Sequence, residues 1–133
     1  MQQLKLVNQE KFLNSIMRVS DNIRYVMIYD LKGNNILKLK MDGVTDLLTE
    51  DENKIALRHT IDSWNFRITL SEKIGNVNYV LQVYDNLIRA IFPFGNKMLL
   101  VVTLDNENNP NNIVKRIQTI LSGNPAVTSS QFK

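Results

Sequence analysis

The spacing of apolar positions divides the chain into eight elements. Phe12, Ile16 and Val19 recur at i, i+4 and i+7, which predicts a first helix over about Gln9 to Val19 with Asn8 as its N-cap. Ile23 to Tyr29 is a β-branched and aromatic run, read as a strand. Asp30 to Asn35 (DLKGNN) supplies hairpin chemistry, and Ile36 to Met41 is the return strand. In that strand Leu37, Leu39 and Met41 alternate with Lys38 and Lys40, so one face is core and the other solvent. Thr49-Glu50-Asp51-Glu52 is a capping box at the head of a long helix that runs to about Lys73, with Gly75 as its stop. Leu57, Ile61, Trp64 and Ile68 form the stripe expected to pack on the sheet. Phe66 and Leu70 fall about 160–200° away from that stripe at 100° per residue, so the helix is apolar on two sides and calls for two neighbours.

Asn78 to Leu104 reads as a three-stranded meander. Asn78 to Tyr84 is the first strand, with Tyr79, Leu81 and Val83 facing one way and Val80, Gln82 and Tyr84 the other. Asp85-Asn86 is a turn, Leu87 to Phe94 the second strand and Gly95-Asn96 a second turn. Pro93 lacks an N–H and must occupy an unpaired position or a bulge. Met98 to Leu104 is apolar except at Thr103, as suits a central strand covered on both faces. Asn109 and Pro110 open a last helix whose apolar face is Ile113, Ile117, Ile120 and Leu121, closed by Gly123 and Pro125.

The order α-β-β-α-β-β-β-α gives an α+β fold, a five-stranded antiparallel sheet flanked by helices. Residues 1–124 form one domain and residues 125–133 a flexible tail. At 133 residues and 44% hydrophobic content the chain can bury one core. An edge strand at Asn78 to Tyr84 exposes backbone donors and acceptors that must be covered or used.

Composition removes several function classes. Without cysteine there is no disulfide, thiolate site or cysteine nucleophile. No apolar run approaches the roughly 20 residues of a membrane helix, and the first residues lack the apolar core of a signal peptide, so a cytoplasmic protein without membrane contact is expected. The net charge of +3 is spread along the chain, and Lys115-Arg116 is its one adjacent basic pair. Nucleic acid is therefore not expected as a partner, since such proteins concentrate positive charge on one face.

Candidate chemistry is sparse, and no catalytic, metal or cofactor-binding residue is assigned. His59 is the single histidine, without a nucleophile to activate or ligands to join, and reads as a surface or interface residue. The acids Glu50, Asp51 and Glu52 suit the positive end of a helix rather than a cation. Asp30 to Asn34 lacks the acid order of a calcium loop. Trp64 reads as a core anchor, with an exposed interface hot spot as the alternative, and the pair Phe92 and Phe94 as core, while Tyr79 and Tyr84 point to opposite faces of their strand, one packing inward and the other available to a partner. Lys38, Lys40, Arg89 and Lys97 read as a solvated face.

The chain resembles the roadblock (dynein light chain type) proteins of the profilin-like group, over about Gln9 to Leu121. The first hairpin IRYVMIYDLKGNNILKLK looks like that family's strand, Asp/Gly turn and strand. The stretch DNLIRAIFPFGNKMLLVVTLD looks like its last two strands. Gly75, Tyr79, Tyr84 and Arg89, after a Trp-bearing helix, are also similar to small archaeal proteins of this build. The resemblance implies dimerisation through side-by-side central helices and pairing of the third strands, and scaffold or regulatory work, often with small GTPases. Mapped here, the expected interface uses Phe66, Leu70, Lys73, Val77, Tyr79, Leu81 and Val83. A homodimeric, non-enzymatic adaptor without cofactor is the reading this favours. The alternative is a PAS-like sensory domain, which requires a closed apolar cavity lined by Trp64, Tyr25 and the meander.

Overall fold

The structure is a computed structural model that describes residues 2–95, 97–106 and 109–123. Helix α1 (Gln2–Met17) is followed by the hairpin β1 (Ile23–Asp30) and β2 (Asn35–Lys40). Helix α2 (Glu50–Thr69) and the single turn α3 (Ser71–Ile74) lead to β3 (Val80–Val83), β4 (Ile88–Pro93) and β5 (Met98–Leu104), and α4 (Pro110–Ser122) closes the chain. The sheet order is β2-β1-β5-β4-β3, with every neighbour antiparallel. This is the expected five-stranded α+β architecture, with β5 at its centre and β3 at one edge.

Period-two alternation sorts each strand between two cores. Ile23, Val26 and Ile28 of β1, with Leu100, Val102 and Leu104 of β5, pack against α1 and α4. On the opposite face Ile61 and Trp64 of α2 pack on Ile91, Leu99 and Val101. Helices therefore cover both faces, and β5 reads apolar on both sides for that reason. Leu37 and Leu39 are half-buried against the α1–α4 core while Lys38 and Lys40 are exposed on the α2 face. Phe12, Leu13, Ile16 and Val19 are buried in the first core, where the Phe12 and Phe94 rings lie 4.9 Å apart. Arg24 fastens β1 to the end of β5 through a 2.7 Å ion pair with Asp105, and the Arg116 guanidinium donates to the Val19 carbonyl at 2.7 Å, tying α4 to α1.

Several expected boundaries move. Helix α1 starts at Gln2, so Asn8 lies inside it and not at its cap; QQLKLVNQ contains enough straight-chain helix formers to extend the helix backwards. The helix expected to reach Lys73 is interrupted at Leu70 (φ −91°, ψ −5°), whose N–H goes to Arg67 and Ile68. Beside the break the Thr69 hydroxyl donates to the Phe66 carbonyl at 2.6 Å, a side-chain bond that competes with the helical ladder. Ile68, expected on the sheet-facing stripe, is 46% exposed. Asn109 holds the N-cap position of α4, but its side chain makes no capping bond; Pro110 serves as the first helical residue. Pro93 ends β4 beyond the last β3 pair, Val80 with Ile91, so its missing N–H leaves no ladder bond unmade. Asn96 of the second meander turn and the tail over residues 125–133 lie outside the described residues.

Candidate functional site

The capping box fixes where α2 begins. Thr49 Oγ1 accepts from the Glu52 N–H at 3.1 Å, and the Glu52 carboxylate accepts from the Thr49 N–H at 2.8 Å. From that start, helical periodicity turns Ile61 and Trp64 to the sheet and Phe66 away from it. Phe66 is 64% exposed, and Leu70 is half-buried where the helix breaks. Gly75 closes α3 with φ +90°, a left-handed conformation that glycine adopts without Cβ strain, and sends the chain back towards the sheet edge.

The returning segment and the helix enclose a groove of about 680 Å³ lined by Phe66, Leu70, Ile74, Val77, Tyr79 and Val80. Ile74 is 79% exposed. Strand β3 borders the groove and, among the described residues, pairs with β4 alone and has no neighbour on its other side. Its sequence VLQV is uncharged, whereas the opposite edge, β2, carries Lys38 and Lys40. Lysines on an edge discourage pairing with another chain; β3 has no such guard.

The seven residues expected at an interface fall into two groups. Phe66, Leu70 and Val77 line the groove on the α2 side, with exposed Lys73 on the neighbouring turn. Leu81 packs against the α1–α4 core, and Val83, two positions on, is 61% exposed on that same face. Tyr79 sits at the rim between them, its ring 6.2 Å from that of Phe92. Tyr84 is exposed as well, and of the two tyrosines only Tyr79 has an aromatic ring contact among the described residues. Pattern reading did not single out Ile74, because it assigned the turn to a continuous helix.

Elsewhere the residues weighed for chemistry take structural places. His59 is exposed and Trp64 buried. Asp30 accepts from the Lys32 and Asn34 amides at 2.9 Å each and from Asn34 Nδ2 at 3.0 Å; the Asn34 bonds lower its pKa and build the hairpin turn. Among the described residues no group of three or more His, Cys, Asp or Glu could hold a metal ion. No helix among them is long and apolar enough to cross a membrane.

The reading of Arg89 as part of a solvated face is corrected. Lys38 and Lys40 are exposed, but Arg89 is 9% exposed, because β4 is an inner strand under α2. It lines a cleft of about 610 Å³ between α2 and the β1–β2 hairpin, with Tyr25, Tyr29, Lys38, Leu57 and Thr60. Burial pushes the Tyr29 phenol above its ordinary 10.0; the positive field of Arg89 offsets part of that rise. The Tyr29 hydroxyl donates to Met27 Sδ at 2.9 Å. Trp64 does not line the cleft, which opens to solvent and carries polar groups. It is not the closed apolar cavity a PAS-like domain requires, because the Trp64 ring packs on β4 and β5.

The fold has known relatives. A structure described as MglB with a tetrameric arrangement aligns with a TM-score of 0.69 at 11% identity, over 92% of this chain and 87% of the other. The gliding protein MglB of Thermus thermophilus aligns at 0.65 and 12% identity, over 92% and 88%. A Roadblock/LC7 domain from Streptomyces avermitilis aligns at 0.63 and 10% identity, over 90% and 92%. The chain thus has the roadblock/LC7 fold over about nine-tenths of its length. No protein-family model matches it, and no curated protein does.

Proposed function

We propose that this protein is a non-enzymatic, cytoplasmic, dimer-forming adaptor or regulatory domain that binds protein partners through β3 and the groove beside α2. The observation that carries this reading is the unguarded edge of β3 next to the exposed apolar residues Phe66, Ile74 and Val83. Backbone pairing along β3 supplies directional hydrogen bonds, and burial of the groove supplies the apolar driving force. Pairing of two β3 strands would extend one sheet across both copies and remove both exposed edges. The contact residues are Phe66, Leu70, Lys73 and Val77 on the helix side and Tyr79, Leu81 and Val83 on the strand.

The roadblock resemblance adds the class of partner, a small GTPase, and the description of one neighbour as tetrameric agrees with self-association in this fold. Sedimentation equilibrium at micromolar concentration tests the assembly and is expected to return a dimer mass. A monomer there would remove the reading. Pull-down from native cells, with a small GTPase among the captured proteins, tests the partner separately.

A further inference from the structure

One register row on the α2 face of the sheet differs from its neighbours. The pairs Lys40–Tyr25, Tyr25–Thr103, Thr103–Arg89 and Arg89–Gln82 carry it across all five strands. The adjacent row is Lys38, Met27, Val101, Ile91 and Val80, apolar apart from its edge lysine, and part of the core under Ile61 and Trp64. In the polar row Thr103 is fully buried and Arg89 is nine-tenths buried. Among the described residues no ion pair reaches the Arg89 guanidinium, which meets solvent only through the cleft it lines, and neither Thr103 Oγ1 nor Gln82 Oε1 has a hydrogen-bond partner.

A buried cation without a counter-charge is costly, and folded proteins keep one where something else compensates it. The acids around the cleft do not: Asp46 pairs with Lys40 at 3.3 Å and Glu50 with Lys54 at 3.8 Å. Arg89 and Lys38 are the cleft cations left over, and the Lys38 ammonium sits 5.2 Å from the centre of the Tyr25 ring. The walls between them are Tyr25, Tyr29, Leu57 and Val101. A guanidinium offers paired N–H donors that match a carboxylate or phosphate in two parallel bonds. A volume of about 610 Å³ lies within the range of small-molecule sites.

We propose that the cleft between α2 and the β1–β2 hairpin binds a small organic anion, its carboxylate or phosphate on Arg89 and its apolar body against Tyr25, Tyr29 and Leu57. Lys38 closes over the outer side as a second positive contact. The cleft lies on the β1–β2 side of the sheet, across from the β3 edge, so the site stands or falls independently of dimerisation.

Amide chemical shifts of the full chain, titrated with benzoate, phenyl phosphate and neutral benzamide at matched ionic strength, test it. Saturable shifts around Tyr25, Arg89 and Thr103 are expected with at least one anion and not with benzamide, and the stronger anion identifies the group recognised. Arg89→Met is expected to weaken binding roughly ten- to a hundredfold, the worth of hydrogen bonds to a charged group. The same variant should raise the melting temperature of the free protein, because it removes an unpaired buried charge; a purely structural arginine would give a lower one. Lys38→Ala, at an exposed position, should weaken binding about threefold to tenfold without disturbing the fold. No saturable shift with either anion, equal shifts with benzamide, or affinity unchanged in Lys38→Ala or in folded Arg89→Met would overturn the proposal.

Discussion

Arg89 and Thr103 face each other across the β4–β5 ladder, both buried under α2, and Thr103 Oγ1 has no hydrogen-bond partner among the described residues. An unmade hydrogen bond in a core costs about 1–3 kcal/mol. Thr103→Val keeps the shape and removes the polar atom. It is expected to stabilise the protein by roughly 1 kcal/mol, read as a higher urea midpoint with unchanged m-value. A lower midpoint would show that the hydroxyl is satisfied in solution.

The α2 stripe divides between Trp64, buried against Leu99 and Val101, and Ile68, nearly half exposed. Trp64→Ala should destabilise by about 3–5 kcal/mol through the lost contact and the cavity left behind. Ile68→Ala should stay within about 0.5 kcal/mol in the monomeric state. Comparable losses in the two variants would mean that α2 lies on the sheet further along its length.

The reciprocal Thr49–Glu52 bonds satisfy donors that the first turn of α2 otherwise leaves open. Thr49→Ala should cost about 1 kcal/mol, and Thr49→Ser much less, by thermal or chemical denaturation. Equal effects of the two substitutions would exclude the hydroxyl as the cause.

Tyr29 carries a pH signature. Its folded pKa is raised by burial above the unfolded value near 10, so the unfolded chain gives up the proton first. The stability this group contributes is whole below pH 10 and is lost as pH rises through the folded pKa. Tyr29→Phe should flatten that alkaline limb of stability, measured by denaturation at a series of pH values. An unchanged slope would assign the alkaline loss to other groups.

Phe66 gives the sharpest test of the proposed assembly, since its side chain is exposed and its loss spares the core. Phe66→Glu places a charge in the groove; the dimer constant should weaken by at least tenfold while the far-UV spectrum and monomer stability stay as they were. Val83→Lys, on the other face of β3, should weaken dimerisation by guarding the edge as Lys38 and Lys40 guard β2. A dimer indifferent to both substitutions would place the contact elsewhere.

Local information wrote much of this molecule into its sequence. The alternation of Leu37 and Leu39 with Lys38 and Lys40 set the faces of β2, the Thr49–Glu52 pair set the start of α2, and the Asp30 turn set the hairpin. Each depends on neighbours a few residues apart, and each stands in the structure as read. The run of β5, apolar except at Thr103, also announced a central strand. The surroundings of Arg89 were not legible in the same way. Periodicity shows that Arg89 lies on one face of its strand but not which helix covers that face, nor that Thr103 and Tyr25 stand beside it. Those neighbours come from strands distant in sequence, and only the order β2-β1-β5-β4-β3 brings them into one row. Likewise the sequence paired Phe66 and Leu70 on one side of a helix, while the break at Leu70 and the turn at Gly75 decided that they meet Val77 in a groove. Side-chain spacing is a property of the chain; burial and the company a charge keeps are properties of the packing.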